Sequence, residues 1–466
     1  MPDQPALRRA LGPWSAASIV VGTVIGSGIF LVPKTMVANT GSSETVLLVW
    51  IFGGLLSLAG ALTYAEMAAA MPEAGGEYVY LKEAYGPFWG FLFGWTQMWV
   101  AKSGSVATLG AGFALYLGNF FPSLDPALFQ IPLPLGEGGA PLPVTGGQLV
   151  AIVLILLLGV LNWFGVREAA GVQVAVTFLK VALIAGVIAA GLFGGKGDWS
   201  NLSSSSAAPG GAAGFFAALV AALWAYDGWN NVSMVSGEIK RPQRNLPLAL
   251  IAGSLVVMGV YLLTNLAYFF VLSAAEVASS DRVAAVMMRA IVGEWGAAAV
   301  SLAALISMFA ALNGSLLSGS RIPYALARDG LFFRRFAAVS PKHLTPGFSV
   351  LALSAWSAVL VLSGRYDQLL TMVIFPSWIL YGMSAAAVIV LRRKRPDLPR
   401  PYKTVGYPLV PLLFVAAAAA LLAATLQKSP RESFLGLTVI AAGIPFYWYW
   451  SRKLASGAAA PPSPRS

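Results

Sequence analysis

The sequence has no cysteine and a single histidine among its 466 residues. Without cysteine this sequence can form neither disulfides nor thiolate metal sites. The histidine, His343, stands between Pro341 and Pro346 and is read most simply as a solvated loop residue. There is no His/Cys cluster and no pair of carboxylates within the apolar segments. The residues that an enzyme would need for acid–base or metal chemistry are therefore missing. We therefore expect no enzyme, no bound metal and no cofactor.

Charged residues are also scarce: they make up 11% of the chain, against 58% apolar residues. The mean hydropathy is +0.74, which is not typical of a soluble chain. Because about 20 apolar residues cross a bilayer as a helix, the pattern predicts an all-α polytopic membrane protein with twelve spans. These are approximately 14–38, 45–71, 87–120, 147–165, 169–194, 212–237, 247–273, 293–326, 346–364, 367–391, 405–426 and 432–451.

The net charge of +11 is unevenly placed along the chain. With the N-terminus inside, 21 of the 30 Lys and Arg residues lie on the inner side and seven on the outer side, and Lys102 and Lys180 lie within spans. This asymmetry follows the positive-inside rule. It predicts a protein of the cell (inner) membrane with residues 1–13 and both termini in the cytoplasm, and it argues against a nucleic-acid partner. Residues 455–466, rich in Pro, Ser and Ala, are predicted to be a disordered cytoplasmic tail.

The first span contains a stretch poorly suited to a membrane helix. Residues 21–33 read VGTVIGSGIFLVP, in which Gly26 and Gly28 flank Ser27 and Pro33 follows. Each glycine costs roughly 1 kcal/mol relative to alanine in a helix interior. In hydrocarbon, the N–H and C=O groups of a broken helix persist only where they line a protein-enclosed cavity. The stretch therefore predicts a discontinuous first helix and a polar ligand bound beside it.

The sixth span has a second such stretch, where Asp227, Gly228 and two asparagines interrupt residues 223–231. Five spans separate the two breaks, and this odd number puts the second unit of five in the opposite orientation. Broken helices at corresponding positions of two inverted halves indicate a transporter substrate site. The pattern predicts one repeat of spans 1–5 (14–194), a second of spans 6–10 (212–391) and two further spans (405–451).

The two breaks suggest a ligand that carries both charges. An opened helix offers N–H groups to an anion and carbonyls to a cation. An α-amino acid could place its carboxylate on the N–H groups around Gly26, Ser27 and Gly28. Its ammonium would then lie near the carbonyls of Val24, Trp224 and Asp227, with the side chain directed toward the second break.

Two other features of the sequence each have two interpretations. Lys180 lies deep in the fifth span, where a lysine costs roughly 2.5–3.5 kcal/mol and should face the protein interior. It could be a fixed structural cation or a site that loses its proton during transport. Residues 73–87 are semipolar and aromatic, as expected either of an interfacial or re-entrant piece or of an ordinary amphipathic loop.

At this point the sequence resembles the L-type amino-acid transporters of the amino acid–polyamine–organocation superfamily, over about residues 12–450. The motifs that carry the resemblance are 21–30 (VGTVIGSGIF), 75–78 (GGEY), 223–230 (LWAYDGWN), 242–249 (PQRNLPLA) and 313–316 (NGSL). The resemblance implies the leucine-transporter fold, with five-plus-five inverted repeats, discontinuous helices 1 and 6, and two extra C-terminal helices. It also implies sodium-independent amino-acid exchange.

The resemblance also implies roles for single residues. Trp224 matches an aromatic gate above the substrate, and Lys180 matches a lysine that replaces a bound cation, near hydroxyls such as that of Ser315. Three small polar residues match positions near the substrate side chain, although packing would also explain them: Ser105, Thr108 and Ser377. The predicted substrate site as a whole comprises Val24, Ile25, Gly26, Ser27, Gly28, Ser105, Thr108, Trp224, Ala225, Asp227, Asn230 and Ser377.

Asp227 separates subgroups of that family. Members for large neutral substrates have glycine there, whereas the sequence WAYDGWN resembles members that also accept cationic amino acids. The alternative is an internal ion pair of Asp227 with Lys180 or Lys102. Animal members attach to a single-span glycoprotein through a cysteine in the loop after the third helix, and this sequence has none. We therefore expect no disulfide-linked partner.

The sequence thus favours an amino-acid antiporter that works by alternating access. A proton-coupled symporter with Lys180 as the titrating group is the alternative mechanism. A receptor that binds amino acids without transporting them is the alternative from another class, although no added signalling domain supports it.

Overall fold

The computed structural model describes residues 7–132, 141–207, 210–363, 366–428 and 430–456. Its first helices are α1 (Pro13–Val24), α2 (Gly28–Thr40), α3 (Ser43–Ala70), α4 (Glu77–Tyr85), α5 (Pro87–Thr96), α6 (Lys102–Leu117), α7 (Gly146–Phe164) and α8 (Val166–Phe193). The later helices are α9 (Gly211–Ala225), α10 (Asn231–Met234), α11 (Pro242–Val271), α12 (Ala274–Ala278), α13 (Val283–Val292), α14 (Glu294–Gly319), α15 (Arg321–Arg328), α16 (Gly347–Ser363), α17 (Tyr366–Lys394), α18 (Leu409–Lys428) and α19 (Pro430–Ala455). The predicted tail lies outside the described residues from 457 onward.

Nine helical segments within the described ranges are long and apolar enough to cross a membrane. The prediction of a mostly helical, multi-pass membrane protein is therefore confirmed. The predicted spans 87–120, 212–237 and 346–364 correspond to shorter helices, namely α5 with α6, α9 with α10, and α16. The count of twelve spans stays a prediction.

The third predicted span is not a uniform helix. Between α5 and α6 the residues Gln97–Ala101 form a π-helix, and Lys102 follows at the start of α6. Such π-helical turns are frequent at functional sites because they redirect the side chains next to them. Here Lys102 is turned into the protein, where it is buried.

Different helices hold the two halves of the first predicted span. Helix α1 packs against α8, α11 and α14, whereas α2 packs mainly against α9. The chain between α1 and α2 therefore lies where these two groups of helices meet. Helices α3 and α11 pack along each other, and α17 packs against both α18 and α19.

Part of the segment 121–146 forms a two-stranded sheet, which is a small addition to the predicted all-α fold. Strands β1 (Ala127–Ile131) and β2 (Leu142–Thr145) pair in antiparallel register. In β2, Leu142 and Val144 are buried while Pro143 between them is exposed. This alternation covers only four residues, which is too short for a strand to be recognised from the sequence. In a two-stranded sheet both strands are edges, which allows Pro143 to stay within one.

The segment 73–87 contains α4, which does not behave as an ordinary surface loop. Six of its nine residues are buried: Glu77, Tyr78, Val79, Tyr80, Leu81 and Ala84. Gly75 and Gly76 precede it with φ of 110° and 56°, which favour glycine. The Gly75 N–H donates to the carbonyl of Met234 over 2.9 Å. Helix α4 is therefore bound to the end of α10.

A buried ion pair joins the chain after α10 to the start of α15. Arg321 Nε and Nη2 donate to the two oxygens of Glu238 over 2.7 and 3.1 Å. Their side chains are 1% and 0% exposed. The Glu238 carbonyl also accepts the N–H groups of Ala10 and Leu11, over 2.9 Å each. One residue thus holds three separate parts of the chain together.

Candidate functional site

The first interruption, residues 25–27, separates α1 from α2. Ile25 has φ −73° and ψ 85°, outside the helical region. The N–H of Gly26 turns back to the Val24 carbonyl over 2.8 Å. The first N–H groups of α2, at Gly28 and Ile29, have no helical turn before them to accept their hydrogen bonds. All these residues are buried, so the interruption exposes backbone groups to the protein interior.

The second interruption, residues 226–230, separates α9 from α10. Gly228 has φ 106°, a left-handed conformation that a side chain would strain. The Asp227 N–H donates to the Trp224 carbonyl over 3.0 Å, and the Asn231 N–H donates to the Gly228 carbonyl over 3.0 Å. The chain reverses locally here, so Asp227 and Asn230 project from a turn and not from a helix face.

The two interruptions are in direct contact. The Thr23 hydroxyl lies 3.0 Å from the Gly228 carbonyl oxygen and 2.6 Å from the Ile19 carbonyl oxygen of its own helix. A Cβ atom built on Gly28 would lie 2.5 Å from the Cβ of Ala225, so only glycine allows this approach. The Tyr261 hydroxyl on α11 lies 2.8 Å from both the Val24 and the Ala225 carbonyl oxygens. The sequence places these groups about 200 residues apart, and the fold brings them to one point.

Lys180 faces the first interruption, as predicted for a buried lysine of the fifth span. Its Nζ donates to the carbonyls of Gly22 and Ile25 over 2.6 Å each, and the side chain is fully buried. The Ser307 hydroxyl on α14 donates to the same Ile25 carbonyl over 2.8 Å. An ammonium held by carbonyls occupies the kind of site that a bound cation would need.

Within the described residues, Asp227 forms no direct ion pair with Lys102 or Lys180, which was the alternative interpretation. Asp227 Oδ1 accepts the Tyr381 hydroxyl over 2.8 Å. Lys102 Nζ donates to Asn231 Oδ1 over 2.6 Å, and Lys180 lies on its two carbonyls. Lys102 still acts on Asp227 through its charge. Asp227 itself is partly exposed, unlike the other residues of the second interruption, which are buried.

Asn230, a predicted substrate residue, points into the protein toward α4. Its Nδ2 donates to Glu77 Oε1. The Ser233 hydroxyl lies 2.7 Å from the Asn230 carbonyl oxygen and 3.3 Å from Glu77 Oε2, so these two acceptors share its one proton. Both Asn230 and Glu77 are 0% exposed. The second interruption is therefore anchored to α4 by a buried carboxylate.

The remaining predicted residues are placed as follows. Trp224 is buried in the last turn of α9, and Ser105 and Ser315 are buried on α6 and α14. The hydroxyls of Thr108 and Ser377 donate to carbonyls one turn back on their own helices, over 2.8 and 2.7 Å. The roles of Trp224, Ser105, Thr108 and Ser377 toward a substrate, and the role of Ser315 beside Lys180, stay predictions.

Sequence reasoning did not assign Tyr261, Ser307, Tyr381 or Glu77 to the site. Ser307 precedes the predicted Ser315 by eight residues, which is the same face of α14 two turns earlier. Glu77 belongs to the GGEY motif, but the sequence leaves residues 73–87 as either an interfacial or re-entrant piece or an amphipathic loop, with no role for this carboxylate. Tyr261 and Tyr381 lie in long apolar helices, where a buried tyrosine gives no pattern by itself.

Long apolar helices around two adjacent interruptions define a polytopic membrane protein with a polar, backbone-lined interior. The model of the family described as "Amino acid permease" matches residues 11–447. The serine/threonine exchanger SteT of Bacillus subtilis (strain 168) is 33% identical over 457 residues, which cover 97% of this chain and 99% of that protein. The chain therefore belongs to the amino acid permease family.

Other relatives have different printed names. The b(0,+)-type amino acid transporter 1 of Mus musculus is 32% identical over 95% of this chain and 88% of its own length. The large neutral amino acids transporter small subunit 2 of Mus musculus is 34% identical over 96% of this chain and 82% of its own length. These matches confirm the resemblance to the L-type transporters that the motifs indicated.

Proposed function

We propose that the chain is a sodium-independent amino-acid exchanger that works by alternating access. The observation that carries the proposal is the contact between the two interruptions, where α1, α9 and α11 meet at the carbonyls of Val24 and Ala225. Membership of the amino acid permease family supports amino acids as the substrate. The names of two relatives, a serine/threonine exchanger and a cystine/glutamate transporter of Homo sapiens, support transport of amino acids.

The substrate carboxylate would bind the N–H groups at the start of α2, around Ser27 and Gly28. The ammonium would bind beside Tyr261, near the carbonyls of Val24, Trp224 and Asp227. Trp224 would close over the side chain from the outer side. These groups recognise what all α-amino acids share, so they leave the side chain to be selected elsewhere.

Selection of the side chain would fall to the second interruption. Asp227 is partly exposed and held by Tyr381, so it could pair with the cationic group of lysine, arginine or ornithine. Ser105, Thr108 and Ser377 would line the rest of the pocket, whereas Asn230 would support the second interruption from behind through Glu77. We therefore propose neutral and cationic amino acids as substrates.

Lys180 would take the place of a coupling cation. Its ammonium lies on two carbonyls of α1 and the first interruption, and it is covalently fixed. Transport would then need no sodium. The competing mechanism, proton symport, would instead require Lys180 to lose its proton during the cycle.

The proposal includes the arrangement predicted from the sequence: twelve spans, two inverted repeats with discontinuous helices 1 and 6, and two C-terminal spans. It places the protein in the cell membrane with both termini in the cytoplasm. Because the sequence has no cysteine, no partner is disulfide-linked to it. No enzymatic step is proposed.

Exchange can be tested with the purified protein in proteoliposomes. Uptake of a labelled amino acid should require unlabelled amino acid inside and should not respond to a sodium gradient. Uptake into empty vesicles driven by a proton gradient would establish symport in its place. Binding of amino acids without any flux would support the receptor alternative.

A further inference from the structure

Glu77 is a fully buried carboxylate to which the exchange mechanism assigns no task. It is the first residue of α4, which lies outside the nine candidate spans. Its Oε1 receives the Asn230 amide, and its Oε2 shares the Ser233 hydroxyl with the Asn230 carbonyl. Both donors belong to the second interruption or to α10 directly after it. The carboxylate is therefore a connection between α4 and the part of the site that should move.

Titratable groups on several elements interact with Glu77 through their charges. They are Lys102 on α6, Tyr64 on α3, Tyr381 on α17, Tyr80 on α4 itself, and Asp227 in the second interruption, which reaches it through Lys102. Lys102 is the cation of this group, and the charges of both Glu77 and Asp227 act on it. With both carboxylates ionised, the cluster would hold one more negative charge than positive charge.

A proton on one carboxyl group would balance that charge. Asp227 is partly exposed and receives the Tyr381 hydroxyl, whereas Glu77 has no exposure. Burial disfavours the ionised form of a carboxyl group. Burial raises the pKa of Glu77 to about 7, although its own N–H, the Asn230 amide and the charge of Lys102 all act to lower it. Glu77 is thus neutral below this pH and ionised above it.

Asn230 supplies a partner for both forms of the carboxyl group. Its Nδ2 donates to the ionised carboxylate, whereas its Oδ1 is buried without a hydrogen-bond partner within the described residues. A protonated Glu77 becomes a donor and needs an acceptor. Rotation of the Asn230 side-chain amide would bring Oδ1 to that donor. Glu77 and Asn230 can therefore form a hydrogen bond whether Glu77 is protonated or ionised.

We propose that Glu77 is a proton-binding site whose protonation loosens α4 from the second interruption and speeds exchange. The inference rests on the proposed exchange function. Hydrogen bonds to an ionised carboxylate are roughly twice as strong as those to a neutral acid. Ionised Glu77 therefore holds Asn230 and Ser233 tightly, and neutral Glu77 lets this segment rearrange.

The test measures exchange of a neutral amino acid in proteoliposomes with equal pH on both sides, at pH values on either side of 7. The wild type should exchange about fivefold faster in its acid form. Glu77→Gln, which mimics the neutral acid, should exchange at the acid rate at every pH. Glu83→Gln is the matched control, since Glu83 lies on the same helix in an exposed pair with Arg395, and its pH profile should equal that of the wild type.

A second variant and a direct signal complete the test. Ser233→Ala removes a donor to the ionised carboxylate, so the midpoint of the profile should move to higher pH. The infrared C=O band of a protonated carboxyl group should titrate with the same midpoint and be reduced in Glu77→Gln. A Glu77→Gln protein that exchanges with the wild-type pH profile would overturn the proton site and leave exchange intact. Absence of counter-transport in the wild type at every pH would overturn exchange itself.

Discussion

The Tyr261 hydroxyl lies 2.8 Å from the Val24 carbonyl oxygen, across 237 positions of sequence. The same hydroxyl lies 2.8 Å from the Ala225 carbonyl. A phenol has one proton to donate, so the two carbonyls share one donor. Tyr261 thus holds the two interruptions together beside the site proposed for the substrate ammonium.

Tyr261→Phe should weaken substrate binding and the fold together. Two buried carbonyls lose their shared donor, which costs about 1–3 kcal/mol. We expect a lower melting temperature and a several-fold higher half-saturation concentration for exchange. Tyr85→Phe is the control, since the Tyr85 hydroxyl donates to the carbonyl of Met383, which belongs to neither interruption. It should affect stability but not half-saturation, and an equal effect of both variants would contradict the role of Tyr261.

Gly28→Ala should reduce exchange at least about tenfold, a barrier increase of about 1.4 kcal/mol. Its new Cβ would lie 2.5 and 2.6 Å from the Cβ and Cα atoms of Ala225, so the interruptions must move apart. Gly186→Ala on α8 is the matched control, because a Cβ there meets nothing within 4 Å. Initial rates of exchange at matched protein amounts decide the result. Normal exchange by Gly28→Ala would show that the close approach is not needed.

Lys180→Ala should abolish exchange, because it leaves the Gly22 and Ile25 carbonyls without their ammonium. Ser307→Ala removes only one further donor to Ile25 and should leave partial activity. Lys34→Ala breaks an exposed pair with Asp281 and should leave exchange near the wild-type rate. The three variants are compared for labelled uptake after their folded fractions are matched. Full transport by Lys180→Ala would remove both the fixed-cation role and the titrating role.

Asp227→Asn should change which amino acids are accepted. The amide keeps the shape and can still accept the Tyr381 hydroxyl, but it carries no charge to attract a cationic side chain. Competition by arginine, lysine and ornithine should weaken about tenfold, or 1.4 kcal/mol. Competition by neutral amino acids should stay within about twofold. A parallel loss for both classes would show that Asp227 supports the fold and not selection.

Arg321→Met should destabilise the protein by about 3–5 kcal/mol, because it leaves Glu238 buried without its counter-charge. The exposed pair of Arg289 and Glu294 offers the comparison, and Arg289→Met should cost about 0–1 kcal/mol. Thermal denaturation in one detergent measures both. A small cost for Arg321→Met would mean that solvent reaches Glu238.

The family and the general type of fold could be predicted from the sequence because they depend on local patterns. Apolar length indicates membrane helices, and Gly26, Ser27 and Gly28 mark a weak point in the first one. Because Lys180 lies deep in a span, it was expected to have a partner inside the protein, and the carbonyls of Gly22 and Ile25 are that partner. Each of these inferences needs only neighbouring residues and the properties of the bilayer.

The rest depended on contacts between distant parts of the chain. Tyr261 is distinguished from other tyrosines only by its hydrogen bonds to the Val24 and Ala225 carbonyls, which are distant in sequence. Glu77 could not be placed next to Asn230, because the direction of α4 follows from packing and not from its own residues. The short strand β2 has too few residues to show its alternation. The twelve-span count and the roles of Ser105, Thr108 and Ser377 stay predictions.

Lys180 has a thermodynamic consequence for the direction of net movement. A metal ion bound at the Gly22 and Ile25 carbonyls could leave on either side and would couple its own electrochemical potential to the solute. A side-chain ammonium cannot leave, so this position dissipates no ion gradient. The only free energy that could then drive transport is stored in the concentration ratios of the amino acids themselves. Such a protein would reshape the composition of an amino-acid pool without enlarging it.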